Sequence, residues 1–272
     1  MYPNLCPGAV GLGGAMADVL PLAERVGFSG VDPNVSEPTA ALKDLYGSLS
    51  LRVGSVGLPL EFRDTEAKFR QGLADLPDFA SRAQQLQCTR CATWLRPASD
   101  TLTYRENFVL HVRRLRPVAE ILARHGLRLG LEFVGPATSR QGKRCEFIHT
   151  LAQLQELRAA IGVETVGILL DAWHWYTSGS NLDELRELAN DDVVLVHVSD
   201  APAAIPVDEQ LDNKRELPGQ TGVIDLAAFM GALDDIGYDG PVSVEPFCER
   251  LQEFSREERA EAVVDSLLGI MP

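Results

Sequence analysis

The stretch Val166-Gly167-Ile168-Leu169-Leu170-Asp171-Ala172-Trp173-His174 is an apolar run that stops on a carboxylate. Five apolar residues without alternation read as a strand buried on both faces, the mark of a parallel sheet covered by helices. The same pattern recurs on either side. Leu129-Gly130-Leu131 runs into Glu132, Leu195-Val196 into His197, and Ser243-Val244 into Glu245. Between these runs lie longer segments of helical period, so the chain alternates strand and helix as βα units do.

Extending the pattern along the chain gives eight strands: 5–10, 30–33, 51–58, 90–95, 127–133, 166–171, 193–198 and 242–245. Helix-start signals fall between them. Thr103 with Glu106, Asn181 with Glu184, and Ser255 with Glu258 have the spacing of capping pairs, and Gly126 after His125 reads as a helix stop. Pro117 inside the helical pattern 110–123 is expected to kink it. Eight βα units in 272 residues predict an α/β fold, a (β/α)₈ TIM barrel spanning residues 1–272 as a single domain. An open doubly wound sheet would show the same alternation. Its dinucleotide fingerprint fails here, because Met16 stands where Gly11-Leu12-Gly13-Gly14 would need a third spaced glycine.

The composition is that of a globular enzyme, with 45% apolar and 24% charged residues. A formal net charge of −14 repels phosphate backbones and anionic lipid, so neither nucleic acid nor a membrane is expected as a partner. No apolar run reaches a spanning length and residues 1–14 lack a signal-peptide pattern, which predicts a cytoplasmic location. Cys6, Cys88, Cys91, Cys145 and Cys248 are odd in number and scattered, and read as free thiols. Cys88 and Cys91 form a C-x-x-C with no second pair, so a zinc ribbon is unsupported.

In a barrel the C-terminal strand ends converge on one axis, at the face where active sites sit. Glu132, Asp171, His197 and Glu245 would then share one ion, although each alone has a plain reading as a loop carboxylate, a helix cap or a core histidine. Three carboxylates and one imidazole suit one divalent metal, Mn²⁺ first, with Mg²⁺, Co²⁺ or Zn²⁺ also compatible. His174 lies three residues past Asp171, on the loop expected after the sixth strand. Arg215 sits among Asp212, Lys214 and Glu216, where a solvated charge cluster is the competing reading. Asp200 reads as a residue able to orient a ligand. His111, His125 and His149 fall on helical segments and read as surface or packing residues. Arg96, Arg140, Lys143 and Arg144 read equally as a phosphate site or as surface charge.

Leu131-Glu132-Phe133, Leu170-Asp171-Ala172-Trp173-His174, Val196-His197-Val198-Ser199-Asp200, Arg215-Glu216-Leu217-Pro218-Gly219 and Val244-Glu245-Pro246-Phe247 resemble the xylose-isomerase-like barrels described as sugar phosphate isomerases and epimerases. The resemblance extends to Phe28-Ser29-Gly30-Val31-Asp32 and so covers most of the chain. It implies that Glu132, Asp171, His197 and Glu245 hold one catalytic metal, that Glu132 and Glu245 exchange protons with substrate, and that His174 and Arg215 contact substrate oxygens. The implied activity is isomerisation or epimerisation through an enediolate. The implied partner is a small sugar, keto-sugar or keto-polyol, with a homo-oligomer also compatible.

A dehydratase of the keto-inositol or dehydroshikimate type needs the same metal and base, and the four residues alone do not separate it. An apurinic-site endonuclease shares the barrel but needs several metals and a basic surface, against which five histidines and the negative charge both count.

Overall fold

The computed structural model describes residues 1–272. Its strands are β1 (Tyr2–Leu5), β2 (Gly30–Val31), β3 (Arg52–Val53), β4 (Val56–Gly57), β5 (Arg90–Trp94), β6 (Ala98–Ser99), β7 (Arg128–Glu132), β8 (Cys145–Glu146), β9 (Val166–Asp171), β10 (Val193–Val198) and β11 (Pro241–Val244). The helices are α1 (Met16–Val26), α2 (Thr39–Ser48), α3 (Glu66–Gln85), α4 (Tyr104–Arg124), α5 (Leu151–Ile161), α6 (Ala172–Thr177), α7 (Leu182–Arg186), α8 (Leu226–Asp235) and α9 (Arg256–Leu268).

The main sheet is parallel, in the order β3-β2-β1-β11-β10-β9-β7-β5-β4. Its two end members are halves of one chain segment. Arg52–Val53 pairs with β2 and Val56–Gly57 pairs with β5, with only Gly54 and Ser55 between them. The ring therefore closes through the chain itself and leaves no free edge: this is the expected TIM barrel of eight strands, the third of them broken in the middle.

The break has a local cause. An ideal Cβ on Gly54 would overlap the Asp32 carboxylate and the Asn4 amide, so only glycine fits. The Asp32 Oδ1 atom accepts from Ser55 N at 2.7 Å and from Asn4 Nδ2 at 2.9 Å, which pins the break to the first two strands.

Several expected boundaries shift. The first strand is Tyr2–Leu5 and not 5–10; residues 7–11 form turns, with Gly11 at φ +67°. The run 51–58 is two short strands, and Glu245 stands one residue beyond β11. The capping pairs form as read: Thr103 and Ser255 make complete capping boxes with Glu106 and Glu258, and the Asn181 side chain accepts from Glu184 N. Pro117 lies within the unbroken span assigned to α4. His149 is in the loop before α5 and not on a helix. β6 and β8 add a small antiparallel pair over the strand ends that the strand pattern did not show.

Helices pack outside the ring over a core of 66 buried residues drawn from Leu5 to Leu267. A second, small group inside the ring contains Leu169, Val194 and Leu195. The five cysteines are free, and Cys88 and Cys91 are buried. No helix is long and apolar enough to cross a membrane.

Two predictions follow from packing. Gly54→Ala must move the Asp32–Asn4 pair, and should lower unfolding stability by about 1–3 kcal/mol in denaturant titration, the usual scale of overpacking. His111 is buried between Phe62 and Phe147, with ring centroids 5.2 and 4.7 Å away, and its Nδ1–H donates to Asn107 O at 2.8 Å. Burial pushes its pKa down to about 4. The depressed value means that the unfolded chain binds this proton first. The associated stability is thus present above pH ~6.5 and lost as pH falls through about 4. His111→Phe should remove that part of the acid sensitivity, read as a shallower fall of Tm than wild type over this range.

Candidate metal centre

Glu132 ends β7, Asp171 ends β9, His197 is the penultimate residue of β10 and Glu245 follows β11. These four strands are neighbours in the ring, and His197 pairs in register with Asp171. Each of the four residues offers one ligand atom, and these atoms all lie within 4.8 Å of one another. Glu132, Asp171 and His197 are buried and Glu245 is partly so. The structure thus brings all four to one point, from segments spread over more than a hundred residues of the chain.

Asp171 has two tasks. Its Oδ1 caps α6, accepting from Trp173 N at 2.6 Å and His174 N at 3.3 Å, and its Oδ2 faces the cluster. His174 therefore sits in the first turn of a short buried helix rather than on a loop. An N–H group faces each ring nitrogen, Gly135 N–H at 3.3 Å from Nδ1 and Arg215 Nη2–H at 3.3 Å from Nε2, and Nε2 also lies 4.0 Å from Glu132 Oε1 and 3.8 Å from Asp212 Oδ1. Burial, helped by the Arg215 charge, holds its pKa below the usual histidine value, so the ring is neutral.

Arg215 is buried, not part of a solvated charge cluster. Its Nη1 donates to Asp171 Oδ2 at 2.8 Å and to Glu245 Oε2 at 3.4 Å, and its Nη2 to Asp212 Oδ1 at 2.7 Å. The guanidinium lies between two rings, 4.7 Å from the centroid of Trp173 and 4.9 Å from that of Phe247. Phe247 is 43% exposed and has φ +39°, which an L side chain adopts only under strain. It borders two cavities of about 340 Å³ each, one beside Gly8–Gly11 and one beside Ile205 and Arg215.

Electrostatics follow from crowding. Burial, then the Glu245 and Asp171 carboxylates, push the Glu132 carboxyl well above its ordinary value. Burial opposes charge on His197, but Glu245, Glu132 and Asp171 outweigh it and hold the imidazole up at about 9. Burial likewise disfavours the charge on Asp171, but Arg215 and the two histidines keep it low. Glu132 Oε1 and His197 Nδ1 are buried without a hydrogen-bond partner; His197 Nδ1 is 3.5 Å from Glu245 Oε2 without the alignment of a bond. Converging carboxylates with orphaned ligand atoms are the donor set of a divalent cation, and the residues fit one.

Asp200 does not reach the four residues: its carboxylate accepts from the backbone N–H groups of Ala201, Thr221, Gly222 and Ile224 and shapes the loop that carries Arg215. Arg96, Arg140 and Lys143 each pair with a carboxylate, of Glu61, Glu146 and Asp100; Arg96 and Lys143 line one cavity, while Arg140 turns away to donate to Gly135 O and Pro136 O. Asn4, Asp32 and Ser243 form a further polar group that the ligand pattern does not include. Asn4 Nδ2 donates to both Asp32 Oδ1 and Ser243 Oγ at 2.9 Å, forming a polar network across β1, β2 and β11. Asp32 follows Gly30-Val31, so the signal that found Glu132 was present there too. Nothing in the sequence marks Phe247.

Binding of Co²⁺ followed by visible absorption should show one site per chain, weakened by about a hundredfold or more in Asp171→Asn, since even outer partners of a ligand contribute 10–100-fold. Unchanged Co²⁺ affinity in that variant would remove Asp171 from the site.

The sequence profile of the xylose isomerase-like TIM barrel family matches residues 20–269. A xylose isomerase domain protein from Alicyclobacillus acidocaldarius subsp. acidocaldarius superposes with TM-score 0.90 at 33% identity, covering 100% of this chain and 98% of that one. The IolI protein, solved with a bound zinc atom, superposes with TM-score 0.84 at 19% identity, covering 99% and 98%. An inosose isomerase from Halalkalibacterium halodurans is 29% identical over 160 residues, 59% of this chain. The matched stretch is 54% of that protein, so the chain spans about half the length of this curated relative.

Proposed function

The chain belongs to the xylose isomerase-like TIM barrel family, and from that premise we propose that it is a divalent-metal-dependent isomerase or epimerase of small keto-sugars or keto-polyols, working through an enediolate. The observation that carries this reading is the set of four ligand atoms within 4.8 Å, with a glutamate at either end of the arc.

Around the ring the order is Glu132, Asp171, His197, Glu245. The two glutamates therefore flank whatever is held over the middle pair. A bound divalent cation supplies positive charge beside the carbonyl and hydroxyl oxygens of an α-hydroxy ketone, which acidifies the neighbouring C–H. One glutamate removes that proton and the other returns one. Return to the opposite face of the same carbon is epimerisation, and return to the adjacent carbon is isomerisation.

His174 Nε2 and Arg215 Nη2 lie 3.3 Å apart on one side of the cluster, where the guanidinium N–H groups can donate to a substrate oxygen. Trp173 and Phe247 hold the guanidinium plane, so Arg215 offers its edge and not its face. The inosose isomerase similarity supports a cyclic or linear polyol carrying one ketone as substrate.

The test is NMR in D₂O with metal-loaded protein and a panel of ketoses and keto-inositols. Metal-dependent deuterium incorporation next to the carbonyl, with an epimer or isomer as product, is expected. Glu132→Gln and Glu245→Gln should each slow it by about 10²–10⁴, the scale of a lost general acid or base. An unsaturated product reassigns the protein as a dehydratase, and turnover unaffected by both substitutions removes the two glutamates from the chemistry.

A further inference from the structure

The opposite mouth of the barrel carries the opposite charge. β5 begins with Arg90 and β7 with Arg128, and the two pair in register, so two guanidinium side chains leave adjacent strands at the same level. Arg52 begins β3 on the same face, its guanidinium 4.5 Å from the centroid of the Tyr2 ring. Arg52, Arg90 and Lys43 line one cavity of about 560 Å³ with Tyr2, Tyr46 and Asp239, within the size range of small-molecule sites.

None of these cations is spent on a carboxylate. Arg90 donates to Val194 O at 2.9 Å and to Thr89 Oγ1 at 3.3 Å, Arg128 to the carbonyls of Asp191 and Val193, and no carboxylate oxygen lies within 4 Å of Lys43, Arg52, Arg90 or Arg128. In a chain of net charge −14 with 39 acidic side chains, such a cluster is not for want of partners. The C-terminal ends of α2 and α3 approach this face and supply about half a negative charge each. With Asp239 they still fall short of the cationic side chains gathered there. Burial and then the Arg90 charge work against the charged form of Arg128, with the Asp191 carboxylate opposing them.

We propose that this N-terminal mouth is a binding site for a small phosphate monoester, separate from the carboxylate cluster at the other end of the strands. Two guanidinium groups and one ammonium lining one concave site match a dianion of tetrahedral oxygens, with Arg52 able to give paired N–H donors and Arg90 its remaining Nη2–H groups. Tyr2 and Tyr46 supply the apolar wall for the ester's carbon skeleton, and Asp239 is placed to accept from its hydroxyls. This site does not depend on the proposed reaction.

The test is thermal unfolding of the metal-loaded protein with inorganic phosphate, with glycerol phosphate and with citrate, each against sodium chloride at equal ionic strength. Phosphate should raise Tm saturably, with half-effect in the millimolar range, and glycerol phosphate should act at lower concentration. Lys43→Gln and Arg52→Gln lie on exposed side chains, and each should weaken the effect about tenfold, as expected for one lost charged hydrogen bond. Co²⁺ binding at the opposite mouth, unchanged in both variants, serves as the folding control.

An equal rise in chloride, or a phosphate effect intact in both variants, overturns the site. So does loss of the effect after chelation, which would put the anion on the metal. Tighter binding of citrate overturns the phosphate assignment. Conversion of an oligomer to monomers by Arg52→Gln would instead make this face an interface between copies of the chain.

Discussion

Three carboxylates whose oxygens gather within 4.8 Å in a buried mouth cannot all be charged unless cations stand among them. The Arg215–Asp171 ion pair, at 2.8 Å with both side chains at 1% exposure or less, is the contact on which that arrangement rests. Because Arg215 is also paired with Asp212 and flanked by Trp173 and Phe247, its charge is fixed in place rather than mobile. The loop that carries it is held in turn by the Asp200 carboxylate, which accepts from four backbone N–H groups. A single side-chain charge is thus supported by a loop, a short helix and two aromatic rings, and the whole C-terminal face is organised around it.

The same strands carry the opposite sign at their other ends. β7 begins with Arg128 and ends with Glu132, and β5 begins with Arg90 beside it. The barrel is therefore polarised along its axis, acidic where the candidate ligands converge and basic where the chain enters the strands. The two sets of charge are separated by about five residues at some 3.3 Å each, so neither set is paired directly with the other. Each mouth can select its own ligand.

The closure of the ring is a backbone matter. Parallel strands have no hairpins to set their order, so the ring must be completed by whichever strand can serve both neighbours. The third strand does this by breaking at Gly54 and Ser55, turning one half to β2 and the other to β5. The Asp32–Asn4–Ser243 network then ties that break to β1 and β11 on the far side of the seam.

Local sequence determined the later barrel strands, β5, β7, β9, β10 and β11, and the residues that end them, because an apolar run stopping on a carboxylate or imidazole needs no knowledge of distant chain; it misplaced the first strand and did not show the break in the third. It likewise determined the caps at Thr103, Asn181 and Ser255, which depend on residues three apart. The resemblance to known barrels added Arg215 and His174. What only the tertiary structure decided are relations between remote segments. These are the burial of Arg215 among Asp171, Glu245 and Asp212, the Gly135 and Arg215 contacts on the two ring nitrogens of His174, the strained Phe247 over the guanidinium, and the arginines facing one another at the far mouth. None has a periodicity or a spacing, since each is fixed by the register of strands that meet only when the ring closes, and register is a property of the assembled sheet.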